Sequence, residues 1–494
     1  MNNYQLPNPH RRQFIISGSS FYLNKNWKSY QLGDRYWLSY CSDLNICRSK
    51  DRNGISWCLL GLAVHTQAHI EPASEINNLS TMEVIDAYYS WAGRWLLIGK
   101  DRIHLDANGL LGCFYGKDDL GNVVVSSSPV LLARVLGIKA KDDRLLTYGE
   151  GISWYTPPFS GFIGIKRLLA SQILDFTSGE IKPRPLMPQI KPDNNYKTTI
   201  ISVKDALVMG LQNLSRKSQP LWLGLTAGYD SRLMLAIAIT AKIDFTSFTR
   251  IAERMSFADR IFPSRLAQKC GVPHIFLRHK PLKEQSKRKQ LVKQHCGNNV
   301  SDGDAEPFIL GVRDSLTGIS FGGHGFAIAS GFQALCQLPD KFESPHRGAV
   351  QIAQLFNEPE TSSAVAGMTE WLEWVAKYPQ NYLDWRDRFF LEQRQAGWLS
   401  SKEQVYDLTN LTRFPILNAA RTYSLLLSIP EAQRLGSLVQ VALLKQLAPD
   451  LLEYPFNHVD EYFNPWLRRA VKIRDNPKYL YWQIKDKLKK SNLL

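Results

Sequence analysis

Residues 221–238 read Leu-Trp-Leu-Gly-Leu-Thr-Ala-Gly-Tyr-Asp-Ser-Arg-Leu-Met-Leu-Ala-Ile-Ala, and they narrow the possible folds more than any other stretch. Leu221–Leu225 is apolar apart from one glycine and has the length of a buried strand. Leu233, Leu235 and Ile237, with Met234 and Ala236, spell a helix buried on most sides. A strand, a tight small-residue loop and a buried helix open a β-α-β unit, which requires a parallel sheet. The loop, Leu225, Thr226, Ala227, Gly228, Asp230, Ser231 and Arg232, places backbone N–H groups at a helix N-terminus. There the amides and the helix dipole favour a phosphate. Thr226 and Ser231 add hydroxyls. Asp230 would repel a bare anion, so it predicts Mg2+ between its carboxylate and the phosphates. There is no G-x-x-x-x-G-K sequence, so the loop is not of the Walker type.

The loop resembles the S-G-G-x-D-S pyrophosphate loop of the N-type ATP pyrophosphatases, and more closely that of the asparagine synthetase family. Thr226 stands for the first serine and Ala227 for the first glycine. Gly228, Asp230 and Ser231 match directly, and Arg232 replaces the second serine. The resemblance implies an α/β synthetase domain that binds ATP and Mg2+. It implies a ligase that adenylates a small-molecule or peptide carboxylate, releases pyrophosphate, and transfers the acyl group to an amine or ammonia. Asp230 and Ser231 would be its central residues, and Arg232 would neutralise phosphate charge or pair elsewhere.

Downstream segments follow the same family order. Phe245–Thr249 reads as the second parallel strand, Phe257–Cys270 as its helix, and Gly271–Leu277 as turn and third strand. Asp259, Ala267, Gly271 and His274 fit the family's succession, with His274 read as a structural loop histidine. Asn298–Glu306 reads as an acidic loop, and Asp304 is its candidate metal ligand. Gly322, Gly323, His324 and Gly325 form a second glycine-rich element, expected as a fourth strand and turn beside the nucleotide. It resembles the family's S-G-D/E-G-x-D-E segment, with His324 and Phe326 where the acids stand. From Val350 the chain reads helical. The family's lysine near the end of this region has no counterpart in Glu453–His458; Lys445, Arg468 and Lys472 are candidate substitutes, and nothing in the sequence selects among them.

The first 177 residues read as β-rich, with strands expected in 54–63, 93–99 and 123–126 and a hairpin turn at Asp118–Asn122. The order Gly93–Ile98, Asp106–Gly109, Phe114–Tyr115, Val125–Ser127, then Thr156–Phe159 to Ile165–Leu168, resembles an Ntn-hydrolase-like glutamine amidotransferase domain. That class uses an N-terminal cysteine as nucleophile. The sequence begins Met1-Asn2-Asn3-Tyr4 and its first cysteine is Cys41, so no glutamine hydrolysis is expected. Residues 178–197, with four prolines and six charges, read as a linker. Residues 198–494 are then the synthetase-like domain.

The net charge of +15 favours anionic partners. No zinc-finger spacing, C-x-x-C pair or RNA-binding motif is present, which weighs against a tRNA-modifying pyrophosphatase and against nucleic acid. Scattered cysteines and the absence of a long apolar run read as a cytoplasmic protein. Arg11-Arg12-Gln13-Phe14-Ile15 reads as the start of a first strand. The segment Trp466–Leu494 has nine basic and two acidic residues. Leu480, Ile484 and Leu488 share one helical face there, so docking on an anionic membrane or acidic partner competes with packing on its own domain. The lost acids and lysine keep a second reading open, a catalytically silent nucleotide-binding scaffold.

Overall fold

The computed structural model describes residues 6–139, 146–147, 153–188, 190–193, 195–252, 255–278, 284–297, 299–330, 335–456, 465, 466, 470 and 473. The helical face expected from Leu480, Ile484 and Leu488, with Arg468 and Lys472, lies outside them.

The N-terminal part builds two six-stranded sheets. The strands are β1 (Phe14–Ser17), β2 (Trp27–Leu32), β3 (Tyr36–Cys41), β4 (Ile46–Lys50), β5 (Ser56–His65), β6 (Trp91–Gly99), β7 (Arg102–Leu105), β8 (Phe114–Lys117) and β9 (Val123–Ser126). After these come the short pair β10 (Leu146–Thr147) and β11 (Ser153–Trp154), then β12 (Lys166–Arg167), β13 (Gln172–Asp175) and β14 (Ile181–Pro183). One sheet has the order β12-β8-β9-β1-β3-β2 and the other β14-β13-β7-β6-β5-β4. All pairings are antiparallel. Three helices, α1 (Pro72–Ile76), α2 (Thr81–Ala87) and α3 (Pro129–Leu136), flank them.

Strand β6 shows why these sequences read as continuous apolar runs. Leu96 and Ile98 point between the two sheets, with Phe14, Leu38 and Leu60. Trp91, Trp95 and Leu97 point the other way, into a core shared with the C-terminal part. Both faces are buried, so period two gives no polar alternation. Strand β14 falls inside the stretch expected to be a linker. It pairs with β13, and Arg184, Leu186, Met187 and Ile190 beyond it are buried, so much of that stretch is ordered against the protein.

Helix α4 (Tyr196–Ser215) leads into five parallel strands, β15 (Leu221–Gly224), β16 (Thr246–Ile251), β17 (His274–Arg278), β18 (Gly318–Phe321) and β19 (Leu411–Phe414). Their order is β17-β16-β15-β18-β19. Helices α5 (Tyr229–Thr240), α6 (Phe257–Lys269), α7 (Gln285–Cys296) and α8 (Asp302–Ile309) join the first four strands. Next come α9 (Pro345–Leu355), α10 (Ser363–Lys377) and α11 (Trp385–Phe389). A π-helix at Phe390–Leu399 and α12 (Ser400–Tyr406) then lead to β19. The chain closes through α13 (Ala420–Ser428), α14 (Glu431–Arg434) and α15 (Leu438–Leu447). One sheet face (Leu221, Leu223, Ile319, Phe321, Phe414) joins the shared core. The other (Phe248, Leu277, Leu411) packs on Val312 and Leu316.

Two expectations need correction. The region after Val350 is not wholly helical, because β19 completes the sheet. The acidic stretch around Asp304 is not a loop but the first turn of α8. The Ser301 hydroxyl accepts from the Asp304 N–H at 3.2 Å, and Asp302 and Asp304 favour the helix N-terminus. The two parts meet tightly. Gly93 in β6 lies so close to Phe414 that a Cβ there would be 2.8 Å from the ring. Arg94 forks onto Asp407 at 2.7 and 2.8 Å.

Candidate functional site

In an open parallel sheet, ligands bind where the strand order reverses, at the carboxyl ends. Here the reversal lies between β15 and β18, which run in register with Leu223 beside Phe321. The loop after β15 is Leu225–Gly228, and the loop after β18 is Gly322–Gly325. The structure brings both glycine-bearing elements together. A Cβ on Gly323 would sit 2.7 Å from the Asp230 Cβ and 2.8 Å from its carbonyl oxygen, so only glycine permits this approach.

The first loop is closed upon itself. The Ser231 hydroxyl accepts from the Thr226 N–H and donates to the Thr226 carbonyl, each at 3.1 Å, and lies 2.9 Å from the Thr226 hydroxyl. The Ala227 N–H donates to Asp259 at 2.7 Å, and the Gly228 N–H to the Thr226 hydroxyl at 3.1 Å. Three amides expected to face a phosphate are therefore bonded within the protein. Among the described residues, the N–H groups of Tyr229, Asp230 and Ser231 in the first turn of α5 have no partner. They remain the amides offered to an anion. Thr226 is exposed and Ala227 is buried.

Arg232 departs from expectation. It is fully buried, with its guanidinium bonded to backbone carbonyls. Its Nη1 donates to the carbonyls of Leu451 and Tyr454 at 2.8 and 2.7 Å, and its Nη2 to those of Ala227 and Pro455 at 2.9 and 2.8 Å. Its guanidinium lies 3.8 Å above Phe456, whose ring also stacks on Tyr229 at 3.8 Å. Burial lowers its pKa to about 10, still cationic at neutral pH. Arg232 thus ties the chain segment 451–456 to the loop and is not a phosphate ligand.

Asp230 sits in the crevice between the loops. Burial raises its pKa to about 6, opposed by the Gln440 amide, which donates from α15 at 3.1 Å. A cation at this carboxylate would favour its charged form. Magnesium is commonly held by one or two carboxylates plus phosphate oxygens and water. A partly buried carboxylate beside free helix N–H groups fits that pattern. Asp304 does not join it. One Asp304 oxygen pairs with Lys402 at 3.1 Å; the other accepts from Trp398 at 2.7 Å and Ser301 at 3.0 Å. Among the described residues, no three His, Cys, Asp or Glu side chains cluster as a metal site.

His324 accepts at Nδ1 from Arg413 at 3.1 Å. Burial, then the charges of Arg413, Lys402 and Arg313, hold its pKa far below the usual range, so it is neutral. His274 is not in a loop but opens β17, where its Nδ1 lies 2.9 Å from the Ser247 hydroxyl and its buried Nε2 has no hydrogen-bond partner. Lys445 lies in the last turn of α15. Sequence reasoning missed Gln440, Tyr229, Phe456 and Arg413. Each acts through a tertiary contact with no local motif. A cavity of ≈ 1140 Å³ lies elsewhere, between the N-terminal sheets near Tyr30, Arg48, Trp57 and Lys100, and touches none of these residues.

The chain matches no protein-family model and no curated protein at a significant level. Among its described residues, no helix is long and apolar enough to cross a membrane.

Proposed function

We propose that the protein is an ATP-dependent carbon–nitrogen ligase of the asparagine synthetase type, with an Ntn-hydrolase-like N-terminal domain. The observation that carries this reading is the meeting of two glycine-bearing loops at the strand-order reversal, with the Asp230 carboxylate between them. ATP would place its phosphates at the first turn of α5, and Asp230 would hold the magnesium that neutralises them. A substrate carboxylate oxygen then bonds to the α-phosphorus as the bond to the pyrophosphate oxygen breaks. Next an amine nitrogen bonds to the acyl carbon, AMP leaves with the C–O electrons, and the nitrogen gives up a proton. Such transfers need positioning and charge neutralisation more than covalent help. Thr226, Ser231 and Asp259 fix the loop by taking up its own amides, which leaves the first turn of α5 as the cradle for phosphate.

A silent scaffold is the second reading. The self-satisfied amides of Thr226, Ala227 and Gly228 and the neutral His324 favour it. Thermal protection by ATP with magnesium separates ligand binding from none, and formation of AMP with candidate acids and amines separates ligase from scaffold. Asp230→Asn should abolish AMP formation and weaken ATP binding by about 1–3 kcal/mol, the scale of a lost charged hydrogen bond. Unchanged ATP protection in that variant would remove the assignment of Asp230.

A further inference from the structure

The sheet face opposite the shared core carries a cluster of cations that the ligase reading does not use. Arg413 in β19, Arg313 in the turn after α8 and Lys402 in α12 surround Tyr406. The two guanidinium groups lie 5.1 and 4.4 Å from its ring centre, and Arg313 is also 5.4 Å from Phe248. Two carboxylates lie among the cations: Glu403 pairs through Oε1 with Arg413 at 3.4 Å, and Asp304 with Lys402 at 3.1 Å. Glu403 Oε2 has no hydrogen-bond partner and its charge reaches Arg313, but among the described residues Arg313 makes no ion pair. Its Nε and Nη1 are out of contact with solvent and have no hydrogen-bond partner. The Ser320 hydroxyl, fully buried and also without a partner, lies in register beside Arg413 on the same sheet face. Unmade hydrogen bonds on a buried cation are costly, and a carboxylate or phosphate oxygen satisfies both charge and donors. Lys402 and Arg413 are only partly covered, with side chains 20% and 9% exposed, so the cluster reaches the surface. His324 links it to the second glycine-bearing loop.

We propose that this cluster, centred on Arg313, binds one anionic group, a carboxylate or a phosphate. Its use as a subsite for the acid substrate or for a nucleotide phosphate rests on the ligase reading; the binding does not.

Tyr406 reports on the site. Burial pushes its phenol up, but Arg313, Lys402 and Arg413 outweigh burial and Glu403, and bring its pKa below the ordinary value. With His324 neutral, a bound anion cancels part of that positive field, so ionisation of Tyr406 shifts to higher pH. The test is an alkaline titration of the full chain by ultraviolet phenolate absorbance, with Tyr406→Phe subtracted, in inorganic phosphate, pyrophosphate or acetate. At least one anion should raise the Tyr406 midpoint. Arg313→Gln should abolish that rise, and Arg313→Lys should keep part of it. Ser320→Ala deletes an atom with no protein partner. It should weaken anion affinity about threefold to tenfold, the scale of one hydrogen bond, with unchanged melting temperature. Lys100→Gln, in the other cavity, should change nothing. Phosphate or pyrophosphate acting alone assigns a nucleotide phosphate; acetate acting alone assigns the acid substrate. If none of the three anions moves the midpoint, or the rise survives in a folded Arg313→Gln protein, the proposal is wrong. The titration needs neither ATP nor turnover, so a positive result beside absent ATP protection would sink the ligase reading and leave the anion site standing.

Discussion

Asp230 costs the fold stability, because burial opposes its ionisation and the Gln440 amide compensates only in part. Its pKa in the fold, about 6, lies above the ordinary 3.8. Between those values the folded chain holds a proton that the unfolded chain has lost. Stability therefore falls as pH rises from about 4 to about 6, then stays lower. Some two pH units correspond to at most about 3 kcal/mol. Asp230→Asn should thus melt higher than wild type at pH 7.5 and equally at pH 4. Equal melting temperatures at both pH values would show that this carboxyl is not buried as described. Keeping a charge that opposes folding fits a cation-holding role.

At the level of elements, the interlock between the two parts of the chain is polar as well as apolar. Glu392, in the π-helix, is wholly buried. One of its oxygens accepts from the N–H of Ser171 at 3.0 Å, the other from Trp371 Nε1 at 3.1 Å and from Arg388 at 3.2 Å. Removing one partner of such a group leaves the others unpaired, which costs about 3–5 kcal/mol. Glu392→Ala should lower the free energy of unfolding in urea by that much, and Glu392→Gln, which keeps the shape, by less. A loss under 1 kcal/mol would show the network is solvated. The strand–loop–helix at 221–238 was legible because all its signals are local. Strand β19 was not. Leu411-Thr-Arg-Phe414 is a short edge strand with two polar residues, and its partner β18 lies far earlier in sequence. The first turn of α8 was misread although Ser301 three residues before Asp304 is a capping signal. Asp302 and Asp304 serve as charge at the helix N-terminus, not as ligands. At the candidate site, the loop residues were legible and their partners were not. Nothing local ties Gln440 to Asp230, or Phe456 to Arg232.

On the scale of the whole molecule, the two parts are joined by a seam in which His295 keeps its hydrogen bonds only when neutral and burial holds His10 neutral beside it. The His10 N–H donates to His295 Nδ1 at 2.9 Å, and His295 Nε2 donates to the Gln404 carbonyl at 2.9 Å. His10 Nδ1 donates to Gln13 at 2.8 Å. His295 therefore uses one nitrogen as acceptor and the other as donor, a division lost on protonation. Burial lowers His10 to about 4, with Arg134 adding to it and Gln13 opposing. Burial, then His10, Arg94 and Arg11, drive His295 far below the usual range, against the Gln404 bond. Both histidines take up protons in the unfolded chain near pH 6.5 but not in the fold. The stability they contribute is full above that pH and is lost as pH falls toward about 4. His10 alone accounts for up to about 3 kcal/mol. Urea unfolding should show a falling midpoint from pH 7 to pH 4.5, and His10→Gln should flatten part of that fall. Asp230 works in the opposite sense over the same range, so the slope should steepen in an Asp230→Asn background. A slope unchanged by His10→Gln would mean that the seam does not set the acid limit of the fold.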